Sequence, residues 1–214
     1  MKKLYIFDFD GTLFDSVNDV VECFNIALEI HNFPTLTKEE YLERLGGNID
    51  EIVSLILGDK NTPENIEIIK KSYGKLYAKS KNEQTLPFPK THEILNALQK
   101  KGIILAINSN RMTDSIEYYI EKHFPDIDFA LIEGHNPGFP SKPDPLGVKN
   151  ILDATGIKAS EALYIGDSIK DIETSKNAGM DCVIVTWGYG DKRAYENDYP
   201  ILMISEMDDL LKLG

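Results

Sequence analysis

The hydrophobic pattern of the chain changes along its length, and the changes divide it into two kinds of structure. Residues 4–7 are a short, uninterrupted apolar run, which is typical of a strand that is buried on both faces. From residue 16 to about residue 80, apolar positions recur at helical spacing and no strand pattern is convincing. From residue 91 onwards, helix and strand patterns alternate. Such alternation predicts a parallel sheet with helices on both faces.

The alternating part predicts four pairs of a helix followed by a strand. The helices are expected at residues 91–101, 113–122, 145–154 and 169–178, and the strands at 103–108, 129–132, 163–165 and 182–185, with another apolar run at 201–204 before a short terminal helix. The helical part predicts helices at 17–30 and 49–57 and two more that begin near Thr37 and Thr62. Thr37 and Glu40 form a capping-box pattern, and Pro63 suits the first position of a helix.

Residues 86–89, which read Leu-Pro-Phe-Pro, are expected to form a stiff connection between the two parts. We therefore predict an α/β domain made of residues 1–15 and 86–214, with an all-helical domain inserted after the first strand at residues 16–85. The two connections, near Phe14 and Pro87, are short. This arrangement predicts that the inserted domain moves as a lid by hinge closure.

Composition and charge exclude several classes of protein. The chain has 214 residues and a formal net charge of −12, and it contains no basic stripe, so a nucleic-acid partner is not expected. No apolar run approaches the roughly 20 residues of a membrane span, and the apolar run near the start is too short for a signal peptide. Cys23 and Cys182 both lie in apolar patterns, which predicts buried thiols rather than a disulfide. We expect a protein of the reducing cytoplasm without a membrane partner.

The segment Asp8-Phe9-Asp10-Gly11-Thr12 places two carboxylates directly after the first predicted strand. The carboxyl ends of strands are where α/β sheets bind ligands. Two crowded carboxylates repel each other unless a cation lies between them, and Mg²⁺ is the usual hard cation with oxygen ligands. The alternative interpretation is a pair of solvated acids in a turn.

Polar side chains also follow three other predicted strands. Ser109 and Asn110 end the strand at 103–108, Lys142 stands in a turn made rigid by prolines, and Asp167 ends the strand at 163–165 with Asp171 one helical turn later. Each has an ordinary alternative: a capped turn, a solvated lysine, or an aspartate that caps a helix. Because the carboxyl ends of parallel strands share one edge of the sheet, we expect all these side chains to converge on one crevice.

The order of these motifs resembles the four-motif signature of the haloacid dehalogenase superfamily of phosphohydrolases. The matching segments are D-x-D-G-T at residue 8, the serine at 109, Lys-Pro at 142 and G-D-S-x-x-D at 166. The resemblance covers the whole chain, and the helical insertion looks like that family's cap of the first type, on a Rossmann-like three-layer core. Residues 178–180 and 186–190 look particularly like the phosphoglycolate phosphatase branch and its pyrophosphatase relatives.

The resemblance implies a role for each matching residue of the core. Asp8 would be the nucleophile and Asp10 the acid and base. Ser109 and Lys142 would bind the phosphoryl group, and Asn110 would also bind the substrate. Mg²⁺ would be bound by Asp8, Asp167 and the backbone carbonyl of Asp10. Supporting roles fall to Thr12, which would orient Asp10, and to Asp171, which would hold a metal-bound water.

Specificity is expected to come from the inserted domain, with Arg44 as the candidate substrate contact. Two positions depart from the branch. Ser109-Asn110-Arg111 replaces the usual Thr-Asn-Lys, and Lys90 follows Pro89 where many relatives have glycine. The sequence leaves open whether Arg111 and Lys90 contact the substrate.

The predicted activity is Mg²⁺-dependent hydrolysis of a small phosphorylated metabolite, similar to phosphoglycolate, through an aspartyl phosphate. Pyrophosphatase, nucleotidase, and sugar-phosphate phosphatase or mutase remain alternatives within the superfamily. Asp10 argues against a dehalogenase, and the lack of a histidine before His31 on the first inserted helix argues against a mutase. A phospho-receiver domain is the non-enzymatic alternative, although receivers are shorter. Both a monomer and a homodimer are compatible with the sequence.

Overall fold

The computed structural model describes residues 2–213 and divides the chain into two units. Asp15–Leu86 form one unit, and the described residues on either side of that segment form the other. The first unit is helical and the second contains a six-stranded sheet. None of the helices within residues 2–213 is both long and apolar enough to cross a membrane.

The strands of the described residues fall into two sheets. In chain order they are β1 (Leu4–Phe7), β2 (Phe14–Asp15), β3 (Leu86–Pro87), β4 (Ile104–Met112), β5 (Phe129–His135), β6 (Ala162–Gly166), β7 (Asp181–Val185) and β8 (Leu202–Ile204). Six of them form a sheet in the order β5-β4-β1-β6-β7-β8, and β2 pairs with β3. The six are all paired in parallel, with Leu4 opposite both Ile104 and Ala162. β1 is therefore central, with β4 on one side and β6 on the other.

The helices lie along the chain largely where the hydrophobic pattern predicts them. They are α1 (Val17–Ile30), α2 (Lys38–Leu42), α3 (Ile49–Leu57), α4 (Pro63–Lys79), α5 (Thr91–Lys100), α6 (Thr113–His123), α7 (Leu146–Thr155), α8 (Ile169–Ala178) and α9 (Lys192–Tyr195). Thr37 caps α2 in a capping box with Glu40, and Thr62 caps α4 with Pro63 at the first position. The predicted fold class, an α/β core with a parallel sheet and helices, is confirmed.

The structure differs from the predicted elements in four places. β4 continues to Met112 instead of ending at residue 108, and β5 continues to His135. Asn108 pairs with Glu133 and Met112 with His135, and the register shifts between these two pairs. A hydrophobic pattern does not predict this pairing, because several of these residues have polar side chains. The short helix α9 was not predicted, and the terminal segment Met207–Lys212 is a 3₁₀ helix.

The central strands bury both of their faces. Tyr5 and Phe7 point into one cluster with Leu105 and Ile165, whereas Leu4 and Ile6 belong to a second cluster with Ala106 and Tyr164. Neighbouring residues of a strand point to opposite faces, so burial on both sides requires the uninterrupted apolar run at residues 4–7.

The helical unit has a core of its own. Phe24 stacks on Tyr73 with ring centroids 3.9 Å apart, and both pack with Tyr41, Val53 and Ile69. In the full chain, both thiols are free and buried, as predicted for Cys23 and Cys182.

Candidate active site

The parallel sheet brings together acids that are distant in the sequence. Asp8 follows β1 and Asp167 follows β6, the strand next to it, while Asp171 lies in the first turn of α8. One carboxylate oxygen from each of the three lies within 4.8 Å of the other two. All three residues are buried, with exposed fractions of 7%, 2% and 0%. The convergence expected at this edge of the sheet is therefore present for these three acids.

The turn after Asp8 depends on a glycine. Gly11 has a φ of +80°, a conformation that side chains with a Cβ atom rarely adopt. A Cβ atom there would also lie 2.2 Å from Oδ2 of Asp167. The tight turn lets the Phe9 carbonyl accept from the amides of Leu13 and Phe14, while the Phe9 amide donates to Oδ1 of Asp8 at 2.6 Å.

Lys142 lies between two of the three acids. Its ammonium nitrogen is 2.9 Å from Oδ2 of Asp8 and 2.7 Å from Oδ1 of Asp171, and its side chain is 3% exposed. Asn110 fixes the backbone of this lysine, because the Lys142 amide donates to Oδ1 of Asn110 at 2.8 Å. Asn110, predicted to bind substrate, thus contacts the loop that carries Lys142.

Asp171 organises the turn that carries Asp167. Its Oδ2 accepts from the Ser168 amide at 2.9 Å, from the Ser168 hydroxyl at 2.7 Å and from the Asp167 amide at 3.2 Å. The residue at the N-cap position of α8 is Ser168, so the alternative in which Asp167 caps the helix is wrong. Asp171 thus contacts both Lys142 and the Asp167 turn directly.

The segment after β7 closes against the same site. The Tyr189 amide donates to Oδ2 of Asp167 at 2.6 Å, and the Trp187 indole donates to the carbonyl of Thr12 at 3.1 Å. Gly188 lies so close that a Cβ atom would be 2.2 Å from the carbonyl oxygen of Gly11. In the sequence, this stretch is a family marker, and its contact with Asp167 is not predicted. Its Trp-Gly-Tyr-Gly pattern directly after a buried strand was the available sign of close backbone packing.

Asp10 has a different partner from Asp8. The Arg111 guanidinium donates to both of its carboxylate oxygens, with Nη2 2.8 Å from Oδ1. Thr12 was predicted to orient Asp10. Its buried hydroxyl has no hydrogen-bond partner within residues 2–213, so the Thr12 side chain does not hydrogen-bond to Asp10.

Ser109 is 5% exposed and lies in β4 rather than in a turn after it. Together with Lys142 it lines a cavity of about 200 Å³, whose other lining residues come from Asn108 in β4, from the end of β5, and from α7 and the segment that leads into it. The amide of Arg111 donates to the Ser109 hydroxyl at 3.4 Å.

The remaining predicted residues lie elsewhere. Arg44 is in the helical unit, where its Nη1 donates to the carbonyl of Glu40 and lies 3.8 Å from Glu43. Lys90 has a φ of +66°, a backbone conformation that favours glycine. Its ammonium is 2.5 Å from Asp208 on the surface.

Burial controls the ionisation of the cluster. Loss of water raises the pKa of Asp8 to about 7, an effect that Lys142 opposes and that Asp171 and Asp10 reinforce. Burial likewise raises the pKa of Asp167 well above its ordinary value, with Asp171 adding to the effect. Burial works against a charged Lys142, but the carboxylates of Asp171 and Asp8 raise its pKa overall.

The donor set fits a hard divalent cation. Such cations prefer carboxylate oxygens, and a positive charge favours the ionised form of carboxyl groups that burial would otherwise keep protonated. Here one oxygen from each of three buried carboxylates is available within 4.8 Å.

Comparison with known proteins identifies the class to which this fold and site belong. The model of the haloacid dehalogenase-like hydrolase family matches residues 5–185, so the chain belongs to that family and is a hydrolase. The resemblance seen in the sequence is confirmed, and the phospho-receiver alternative is set aside.

Particular relatives point to one branch of the family. The chain is 29% identical to a phosphoglycolate phosphatase of Pseudomonas savastanoi pv. phaseolicola, a match that covers all of this chain and 79% of that protein. It is 28% identical to a phosphoglycolate phosphatase of Aquifex aeolicus, covering 99% and 96%. A crystal structure from Bacteroides fragilis, provisionally described as a haloacid dehalogenase-like hydrolase, has a TM-score of 0.91 and 31% identity, covering 98% of this chain and all of that one.

The raised carboxyl pKa values predict how the stability of the metal-free protein depends on pH. Between about pH 4 and pH 7 the folded protein holds a proton on Asp8 that the unfolded chain has released, so this stabilising contribution is lost as pH rises through about 7. The raised pKa of Asp167 acts in the same direction. In excess chelator, the melting temperature should fall by about 2–4 °C between pH 6 and pH 8.

Thermal unfolding of wild type and Asp8→Asn at both pH values measures this effect. The Asn variant should show a smaller fall, because an amide does not titrate. A change of equal size in both proteins would contradict the assignment to Asp8.

Proposed function

We propose that this protein is a Mg²⁺-dependent phosphatase that hydrolyses a small phosphate monoester through an aspartyl phosphate on Asp8. The observation that carries the proposal is the buried cluster in which the Asp8 carboxylate lies 2.9 Å from the Lys142 ammonium and shares its surroundings with Asp167 and Asp171. The phosphoglycolate phosphatases among the relatives support a small phosphorylated acid as the substrate.

Asp8 is the proposed nucleophile because two donors hold its carboxylate in place. The Phe9 amide donates to Oδ1, and Lys142 lies beside Oδ2. An oxygen of Asp8 forms a bond to phosphorus while the bond from phosphorus to the leaving oxygen breaks. Lys142 and the Ser109 hydroxyl are the proposed donors to the phosphoryl oxygens, where negative charge must be offset.

Asp10 is the proposed acid and base. It is less buried than Asp8, with a side chain 32% exposed. In the first step its proton goes to the leaving oxygen, so that an alcohol departs. In the second step the Asp10 carboxylate takes a proton from the water that attacks the phosphoryl group on Asp8, which releases inorganic phosphate and restores Asp8.

Asp8, Asp167 and the backbone carbonyl of Asp10 would hold the Mg²⁺ ion. When bound, the ion supplies positive charge that offsets the charge of the phosphoryl oxygens and of the crowded carboxylates. Asp171 holds Lys142 and the Asp167 turn in place.

The helical unit is the proposed cap of this enzyme. We propose that Asp15–Leu86 close over the core as a lid during turnover, and that Arg44 then takes part in substrate selection. A pyrophosphatase, a nucleotidase or a sugar-phosphate phosphatase would use the same core chemistry with a different cap surface.

Turnover is expected to require the metal. With phosphoglycolate as substrate near neutral pH, excess chelator should abolish phosphate release, and added Mg²⁺ should restore it, because the buried carboxylates need a cation to accept an anionic substrate. Release of inorganic phosphate measures both states. Full activity in excess chelator would contradict the proposal, as would no hydrolysis of any ester in a panel of phosphorylated metabolites.

Arg44 is expected to affect the choice of substrate rather than the chemistry. Arg44→Ala should change the relative kcat/KM values across a panel of phosphorylated metabolites, while hydrolysis of p-nitrophenyl phosphate stays within about threefold of wild type. Lys38→Ala, which removes another exposed cation of the same unit, is the matched control. Equal loss on every substrate would count against a specificity role.

The Asp10→Asn variant should trap the covalent intermediate. Acetyl phosphate has a good leaving group and needs little help from an acid, so Asp8 should still be phosphorylated. An amide cannot activate water, so the second step should stall. Intact-protein mass spectrometry should show one added phosphoryl group that maps to Asp8, and Asp8→Asn should show none. A label on Ser109, or wild-type turnover by Asp10→Asn, would overturn these roles.

A further inference from the structure

We infer that Arg111 is a positioning residue that fixes the Asp10 carboxylate for both proton transfers. This inference rests on the proposed function. Nε of Arg111 lies 3.1 Å from each carboxylate oxygen of Asp10, and Nη2 lies 2.8 Å from Oδ1. A planar guanidinium that contacts both oxygens fixes the plane of the carboxylate as well as its position.

Arg111 is itself held from several sides. Nη1 donates at 2.9 Å to the hydroxyl of Ser115, which lies in the first turn of α6. The guanidinium carbon lies 5.2 Å from the ring centre of Phe9 and 5.5 Å from that of Tyr119. The Arg111 side chain is 8% exposed. An arginine stacked and hydrogen-bonded in this way has few other positions available, so it can impose its geometry on Asp10.

The contact also gives a reason for the departure from the usual lysine at this position. A lysine ammonium is a point charge on a flexible chain, and it can neither stack on an aromatic ring face as a plane nor contact both carboxylate oxygens through a rigid fork. Arg111 lies in β4, in the stretch where the pairing register with β5 shifts between Asn108 and Met112. The paired residues on either side of this stretch hold the backbone that carries the guanidinium.

Asp10 acts only when its oxygen is within hydrogen-bond reach of the leaving oxygen or of the attacking water. A carboxylate free to rotate spends only part of its time there. Removing the Arg111 guanidinium should therefore slow the steps that need Asp10. The attack of Asp8 on an activated ester should stay largely unchanged.

The test uses two esters of similar size with different leaving groups, p-nitrophenyl phosphate and benzyl phosphate. The value of kcat/KM covers the steps up to release of the leaving group. In Arg111→Met, it should fall about 10–100-fold for benzyl phosphate, whose alkoxide needs a proton, and by less than about threefold for p-nitrophenyl phosphate. Phosphorylated Asp8 should accumulate with p-nitrophenyl phosphate, since dephosphorylation also needs Asp10.

A double-mutant comparison separates positioning from direct contact. In the Asp10→Asn background, Arg111→Met should cause no further loss with benzyl phosphate, because Arg111 acts through a carboxylate that is no longer present. A further loss there, or an equal loss on both esters in the single variant, would mean that Arg111 contacts the phosphoryl group and would overturn the inference. Unchanged or faster hydrolysis of benzyl phosphate would overturn it too.

Two other variants complete the design. Arg111→Lys keeps the positive charge but lacks the planar guanidinium. It should show an intermediate loss of kcat/KM that is again confined to benzyl phosphate. This variant serves as the test if Arg111→Met does not fold. Arg193→Met removes an exposed arginine paired with Asp191 in the same unit and should change neither value. If wild type hydrolyses neither ester, the proposed function fails; if it hydrolyses both and the leaving-group difference is absent, only the role of Arg111 fails.

Discussion

The buried ammonium of Lys142 is the interaction on which the site depends. Carboxylates that have lost their water are costly unless an opposite charge and hydrogen bonds offset the loss. Lys142 contacts two of the three clustered acids, and Asp171 extends the network to the turn that carries Asp167. The rigid segment around Lys142 and its contact with Asn110 hold the ammonium in position. The ammonium joins the end of β1 to the start of α8, the Lys142 backbone amide joins the same loop to Asn110 of β4, and Asp171 joins both to the turn after β6.

The two carboxylates of the first motif are only two residues apart, yet they lie in different environments. Asp8 is buried beside an ammonium, whereas Asp10 is partly exposed and held by a guanidinium. Neighbouring groups with different burial and different partners can do different chemical work, which is what a nucleophile and a separate acid and base require.

The sequence allowed the fold and the central acids to be predicted because their signals are local. An uninterrupted apolar run indicates a strand buried on both faces, and alternating helix and strand patterns indicate a parallel sheet whose carboxyl ends meet. Asp8 and Asp167 could be brought together on that basis alone. The fork between Arg111 and Asp10, the contact of Asn110 with the Lys142 loop, and the Tyr189 amide on Asp167 could not. Each joins residues that are 22 to 101 positions apart. Their geometry depends on the pairing and twist of strands rather than on any periodic pattern.

The close packing of Gly11 and Gly188 around Asp167 restricts how this enzyme can change. Here the backbone itself shapes the space that the carboxylate occupies, and at both positions even one added carbon atom would collide with a neighbouring oxygen. Side-chain exchange, the ordinary means by which proteins diversify, is therefore blocked around this acid. If the helical unit is the cap proposed above, new substrate preferences would arise there, because its core is built from separate residues. Substitution is therefore restricted around Asp167 and less restricted in the helical unit.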